Sequence, residues 1–156
     1  MTLKCILLIF SYAWNIFFAK AQAHYHMKGA NYEGVVFDSK HSYPFLTKKE
    51  RFIPSAIEIS NLEKKLTKDI INLISDYRGH VYTKCRIEKK LLEYKRQYFG
   101  YIDKGKKIIF TSFINSTPAG WKKNVVFVEG GGCNYFQLKY GVNSEKFYDL
   151  NINSSE

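Results

Sequence analysis

A cysteine that directly follows three glycines, Gly130-Gly131-Gly132-Cys133, is the residue best suited by type to carry chemistry in this chain. Backbone amides of a glycine-rich turn can act as oxyanion donors, and a thiol becomes a nucleophile once a neighbouring base takes its proton. The candidate bases are His24, His26, His41 and His80, and none stands in a recognisable setting for that role. A nucleophile without a placed base is a weak hypothesis. The glycines have a simpler use as a turn or bulge, with Cys133 paired to Cys85 in a disulfide. A second chemistry is metal capture. If His24 became the first residue, its amine and imidazole, with the His26 ring, would form a nitrogen set suited to copper. A third is binding. Trp121, Tyr135, Gln137 and Lys139 bring aromatic, amide and ammonium groups to the outward face of a sheet region, a mixture that favours a glycan or peptide partner. The sequence favours this third reading, a non-enzymatic binding module without a cofactor. The copper site at His24 and His26 and the Cys133 enzyme rank behind it.

Whether His24 can lead the chain depends on the first residues. Lys4 precedes a mostly apolar run, Cys5–Ala19, and Ala21-Gln22-Ala23 matches the small-x-small pattern of a signal-peptidase site. A membrane anchor needs about 20 uninterrupted apolar residues. Ser11 and Asn15 interrupt this run and Lys20 ends it, so residues 1–23 read as a cleaved signal peptide. The expected product is exported, periplasmic or extracellular, with no transmembrane anchor after cleavage. Residues 24–156 are enough for one domain with its own core. Cys5 leaves with the leader, and the two cysteines that remain in an exported chain suggest one disulfide. Losing Lys4 and Lys20 takes the formal net charge from +10 to +8. The lysines come in scattered pairs, from Lys48-Lys49 to Lys122-Lys123, rather than in one patch interleaved with aromatics. That pattern speaks against specific nucleic-acid recognition and suits a solvated surface with some affinity for anionic envelope polymers.

Periodicity supplies the elements that would position these groups. Residues 24–48 show no sustained period apart from a short strand over Glu33–Asp38, and read as a poorly ordered arm. Ser55-Ala56-Ile57-Glu58 fits a capping box, and Ile59, Leu62, Leu66, Ile70, Leu73 and Tyr77 recur at helical steps, with Ile71 and Ile74 widening the stripe and Gly79 as a stop. From Lys95 the period becomes that of strands. Arg96–Ile102 and Lys107–Ile114 flank a turn at Asp103–Lys106. Trp121–Glu129 and Asn134–Tyr140 are expected as two further strands about the glycines. Phe147–Ile152 alternates as a fifth. One long helix packed on an antiparallel sheet of about five strands is an α+β architecture, with residues 49–156 as a single domain.

This order of elements resembles the cystatin-like fold, in which a curled antiparallel sheet wraps one helix. The resemblance covers Arg51–Ile152. The runs YKRQYFGYI and W-x-x-x-VVFV-x-GG and the Tyr-Asp-Leu-x-Ile end also resemble a group of small exported bacterial proteins with no assigned activity. Membership of the cystatins would imply inhibition of papain-like proteases through a Q-x-V-x-G hairpin and a P-W hairpin. Gln97-Tyr98-Phe99-Gly100 is one residue short and falls within a strand. The Asp103–Lys106 turn lacks the motif, and Ala119-Gly120 separate Pro118 from Trp121. The inhibitory wedge is therefore not carried over, and protease inhibition stands as an alternative only.

Overall fold

The centre of the molecule is a pair of nine-residue strands, Lys95–Asp103 (β4) and Lys106–Ile114 (β5), joined by a tight turn at Lys104-Gly105. Gly105 adopts φ +74°, a conformation that a side chain would disfavour. The computed structural model describes residues 24–41, 43–77 and 85–154, and the expected signal peptide, Gly79 and His80 lie outside them. On one side β5 pairs with Tyr135–Gly141 (β6), which pairs with Lys146–Ile152 (β7). On the other side β4 pairs in parallel with Glu33–Phe37 (β2), which carries His24–Lys28 (β1) as an antiparallel edge. A two-residue strand, Arg51–Phe52 (β3), also pairs with β4. The result is an open mixed sheet of seven strands, where the sequence suggested about five antiparallel ones.

The helix forms where the sequence places it, over Ala56–Ser75 (α1). Ser55 Oγ accepts from the Glu58 amide, and the Glu58 carboxylate accepts from the Ser55 amide at 2.7 Å, so two otherwise orphaned donors at the helix start are satisfied. Ile59, Leu62, Leu66, Ile70 and Ile74 are buried against the sheet, whereas Ile71 points to solvent at 65 % exposure and does not widen the stripe. Each such fully buried aliphatic side chain contributes about 1.5–3 kcal/mol. A single helical turn, Ile87–Lys90 (α2), follows the undescribed segment.

The supposed N-terminal arm supplies two strands, β2 where a short strand was expected over Glu33–Asp38 and β1 where none was. Its period is hidden because β2 is covered on both faces: Val36 packs with Ile59 and Tyr98, while Val35 and Phe37 pack with Phe99 and Phe110. A strand buried on both sides reads as a continuous apolar run without alternation. With α1 lying between β2 and β4 in sequence, the three form the crossover that a parallel pair requires.

No strand forms over Trp121–Glu129. The segment lies as a strap across the sheet face opposite α1, with Trp121 and Val125 packed on the Phe99–Phe110 cluster. Its first turn is closed by backbone bonds from Lys123 and Asn124 to the Gly120 carbonyl, and side chains meet several of the remaining polar groups. The wholly buried Gln97 donates from Nε2 to the carbonyls of Trp121 (2.6 Å) and Asn124 (2.8 Å), and its Oε1 accepts from the Val126 amide (2.8 Å). Apolar content without a strand partner gave the misleading signal here.

The glycine-flanked cysteine closes the strap. Cys133 is bonded to Cys85 with their α-carbons 5.2 Å apart. Gly131 and Gly132 sit at φ +84° and +55°. A β-carbon on Gly131 would also meet the Tyr135 ring at 2.6 Å.

A candidate binding groove

β6 and β7 bring the groove together, and an irregularity in their pairing aims it. Gln137 pairs with Asn151 but Lys139 pairs with Tyr148, so Asp149 and Leu150 together stand opposite Leu138. This bulge leaves Asp149 at φ +52° and breaks the strict alternation expected over Phe147–Ile152. Phe147, Leu150 and Ile152 all reach the α1 side. Asp149, Asn151 and Asn153 line a cavity of about 400 Å³ on the other side, together with Gln137 and Lys139.

Aromatic rings form the rest of that cavity. Tyr43 and Phe110 are almost wholly buried, while Phe45 and Phe127 are about half exposed. Phe45 and Phe127 stand edge-on to Tyr43, at interplanar angles of 68° and 81°. Phe110 lies 4.8 Å from Tyr43 and 4.7 Å from Phe45, centroid to centroid. Tyr43 and Phe45 come from a short 3-10 turn over Pro44–Leu46, with Pro44 fixing the backbone between them. Phe127 comes from the strap. Burial raises the pKa of the Tyr43 phenol, so it stays neutral and able to donate.

A chain of amides fastens the polar end. Asn151 Nδ2 donates to Gln137 Oε1 at 2.8 Å, and Gln137 Nε2 donates to Asn153 Oδ1 at 3.0 Å. Asn153 Nδ2 in turn donates to the carbonyls of Val128 (2.6 Å) and Gly130 (2.9 Å). The relay therefore ties the strap to β7 across β6. Lys139 Nζ pairs with Asp149 at 2.8 Å and lies 5.7 Å from the Phe45 centroid. Glu129 at the strap end is exposed and, among the described residues, has no ion-pair partner.

The residues singled out by sequence are divided by the structure. Gln137 and Lys139 line the groove. Trp121 and Tyr135 do not: Trp121 is packed against the core, and Tyr135 donates its hydroxyl to the Ser116 carbonyl at 3.0 Å. Cys133 is held in the disulfide. His26 Nε2 lies 2.9 Å from Glu33, and His41 Nδ1 lies 3.0 Å from Asp38. His24 begins β1, with its side chain outside the described residues. Among those residues no three His, Cys, Asp or Glu side chains gather as a metal site.

Tyr43 and Phe45 lie in a stretch without a period, so nothing local marked them, and Asn151 and Asn153 were readable only as the polar alternates of Leu150 and Ile152. A second missed cluster lies beneath α1. Glu63 is 4 % exposed, accepts from the Tyr98 hydroxyl at 2.8 Å and lies 3.4 Å from Arg96 Nε. Burial raises the Glu63 pKa against the pull of Arg96. Position 63, four after Ile59 and three before Leu66, falls on the buried stripe, which was a readable signal that an acid there needs a partner.

Compared with protein-family models, curated proteins and solved structures, the chain matches none. The chemistry the groove offers is that of recognition: aromatic faces, amide donors and acceptors, one ion pair and one free carboxylate.

Proposed function

We propose that this protein is an exported, non-enzymatic binding module that takes a peptide or glycan segment in the groove between Phe45 and Phe127. The observation that supports this most directly is the pair of half-exposed phenylalanines flanking the buried Tyr43 ring, beside a fixed amide row. Binding sites combine apolar walls with a few oriented polar groups in this way. The amides are held by one another, so little ordering cost remains when a ligand arrives. Export rests on the sequence of residues 1–23 and on the disulfide, since such bonds persist in oxidising compartments. Among the described residues no helix is long and apolar enough to cross a membrane. A cystatin-like architecture for the helix and sheet belongs to the same proposal, without the inhibitory hairpin sequences.

The test is a screen of immobilised peptides and glycans with the purified protein and with a Phe45→Ala/Phe127→Ala variant. Both rings are half exposed and pack edge-on against Tyr43 or Phe110, so the variant should melt several degrees lower but remain folded while its hits disappear. Hits that survive the double substitution would place recognition elsewhere on the molecule.

A further inference from the structure

We infer that the groove is selective for an organic cation, an alkylammonium group held between the aromatic walls and the carboxylates of Glu129 and Asp149. This rests on the reading of the groove as a ligand site and adds the chemistry of what enters it.

Three observations converge. The first is charge. The chain carries a formal net charge of +10, yet the ionisable groups at the groove mouth are Glu129, Asp149 and Lys139, two acids to one base. An acidic mouth on a basic protein disfavours the anions that the rest of the surface attracts and draws cations to this one place. The second is the spare carboxylate. Asp149 is engaged by Lys139, but Glu129 is without an ion-pair partner among the described residues. The third is the geometry of the rings. Phe45 and Phe127 rise at steep angles from Tyr43, giving a trough whose walls present aromatic surface to its interior. Such rings attract a cation within about 6 Å of a centroid. The protein's own ammonium, Lys139 Nζ, already lies 5.7 Å from the Phe45 ring, so a positive group is accommodated against this wall. A neutral apolar ligand would use the rings but leave Glu129 unanswered. An anionic one would meet Glu129 and Asp149 unfavourably. A cavity of about 400 Å³ has room for a trimethylammonium head beside Lys139.

Choline and 3,3-dimethylbutan-1-ol separate these cases, because they share a shape and differ in charge. Titrating each into the full-length protein, with the aromatic ring resonances followed by NMR, should show choline binding about tenfold more tightly than its neutral isostere. Glu129→Gln and Phe127→Ala should each remove most of that preference while leaving the protein folded. Equal affinity for the two probes would overturn the cation inference and leave the groove as a neutral binding site. Failure of choline to bind at millimolar concentration would also overturn it, whatever the peptide and glycan screen finds. A preference for choline that persists in Glu129→Gln would do the same for the role given to that carboxylate.

Discussion

Replacing Gln97 by leucine should free the strap while leaving the sheet in place. The Gln97 side chain is wholly buried and makes three hydrogen bonds to the strap backbone, at 2.6, 2.8 and 2.8 Å. Leucine fills nearly the same volume, so packing of β4 is preserved and the loss is confined to those bonds. At about 1 kcal/mol net for each, the variant should lose about 3 kcal/mol. For a domain of this size that corresponds to a fall of about 10 °C in Tm. The local effect is the more telling one. The Val126 amide, which donates to Gln97 Oε1, should exchange with solvent at least about tenfold faster, while the amides of β5 keep their relative order of protection. Because Phe127 and Glu129 ride on the strap, ligand affinity at the groove should fall too. Chemical denaturation and hydrogen exchange by NMR measure both effects. Unchanged protection of Val126 in Gln97→Leu would refute the claim that this one side chain stands in for a strand partner.

The disulfide closes a separation of 48 residues, for which chain entropy gives about 4 kcal/mol, so Cys85→Ala/Cys133→Ala should melt more than about 10 °C lower; equal melting of the two forms would contradict that. Glu33 is ringed by Lys95 (2.6 Å), Lys122 (2.9 Å) and His26 (2.9 Å), and its hydrogen bond to Lys95 is the largest cause of a pKa lowered to about 2. A depressed folded-state pKa stabilises above the unfolded value of about 4.5, and that contribution fades as pH falls toward about 2. Discounted for solvent screening it amounts to about 1–2 kcal/mol, so the Tm gap between the parent and Glu33→Gln should narrow across that window, and a gap constant with pH would count against it. Ser55→Ala removes the side-chain half of the capping box and should cost about 1 kcal/mol in urea titration.

The parts of this fold that could be read from sequence are those whose pattern is local. The capping box and stripe of α1, the β4–β5 turn and the shared face of Tyr135, Gln137 and Lys139 each follow from spacing over a few residues. The Cys85–Cys133 bond followed from counting thiols in a chain expected to be exported. What escaped notice depends on contacts distant in sequence. β2 was expected as a short strand but not its parallel place beside β4, because burial on both faces leaves no alternation to aim it, and the strap looks like a strand because its partner is a side chain instead of a backbone. The groove was half legible for the same reason. Gln137 and Lys139 were placed by alternation, and Asp149, Asn151 and Asn153 alternate too, but the bulge turns Phe147, which strict alternation puts on their face, to the α1 side.

The parallel register of β2 on β4 also sets an order of assembly. The hairpin of β1 and β2 is complete in the growing chain at Phe37, but the strand that receives it begins only at Lys95. Until then Val35, Val36 and Phe37 have no sheet to join, and an isolated two-stranded hairpin is marginal in water. α1 emerges next and likewise lacks the surface it is shaped to cover. The run from β4 through β5 and β6 to β7 joins neighbours in sequence, so it can form early with little loop-closure cost. Of the described strands, the pair made first is therefore secured last. In the interval the nascent chain displays a short, uncharged, β-prone tract, Gly34-Val35-Val36-Phe37, of the kind that a holding chaperone must shield.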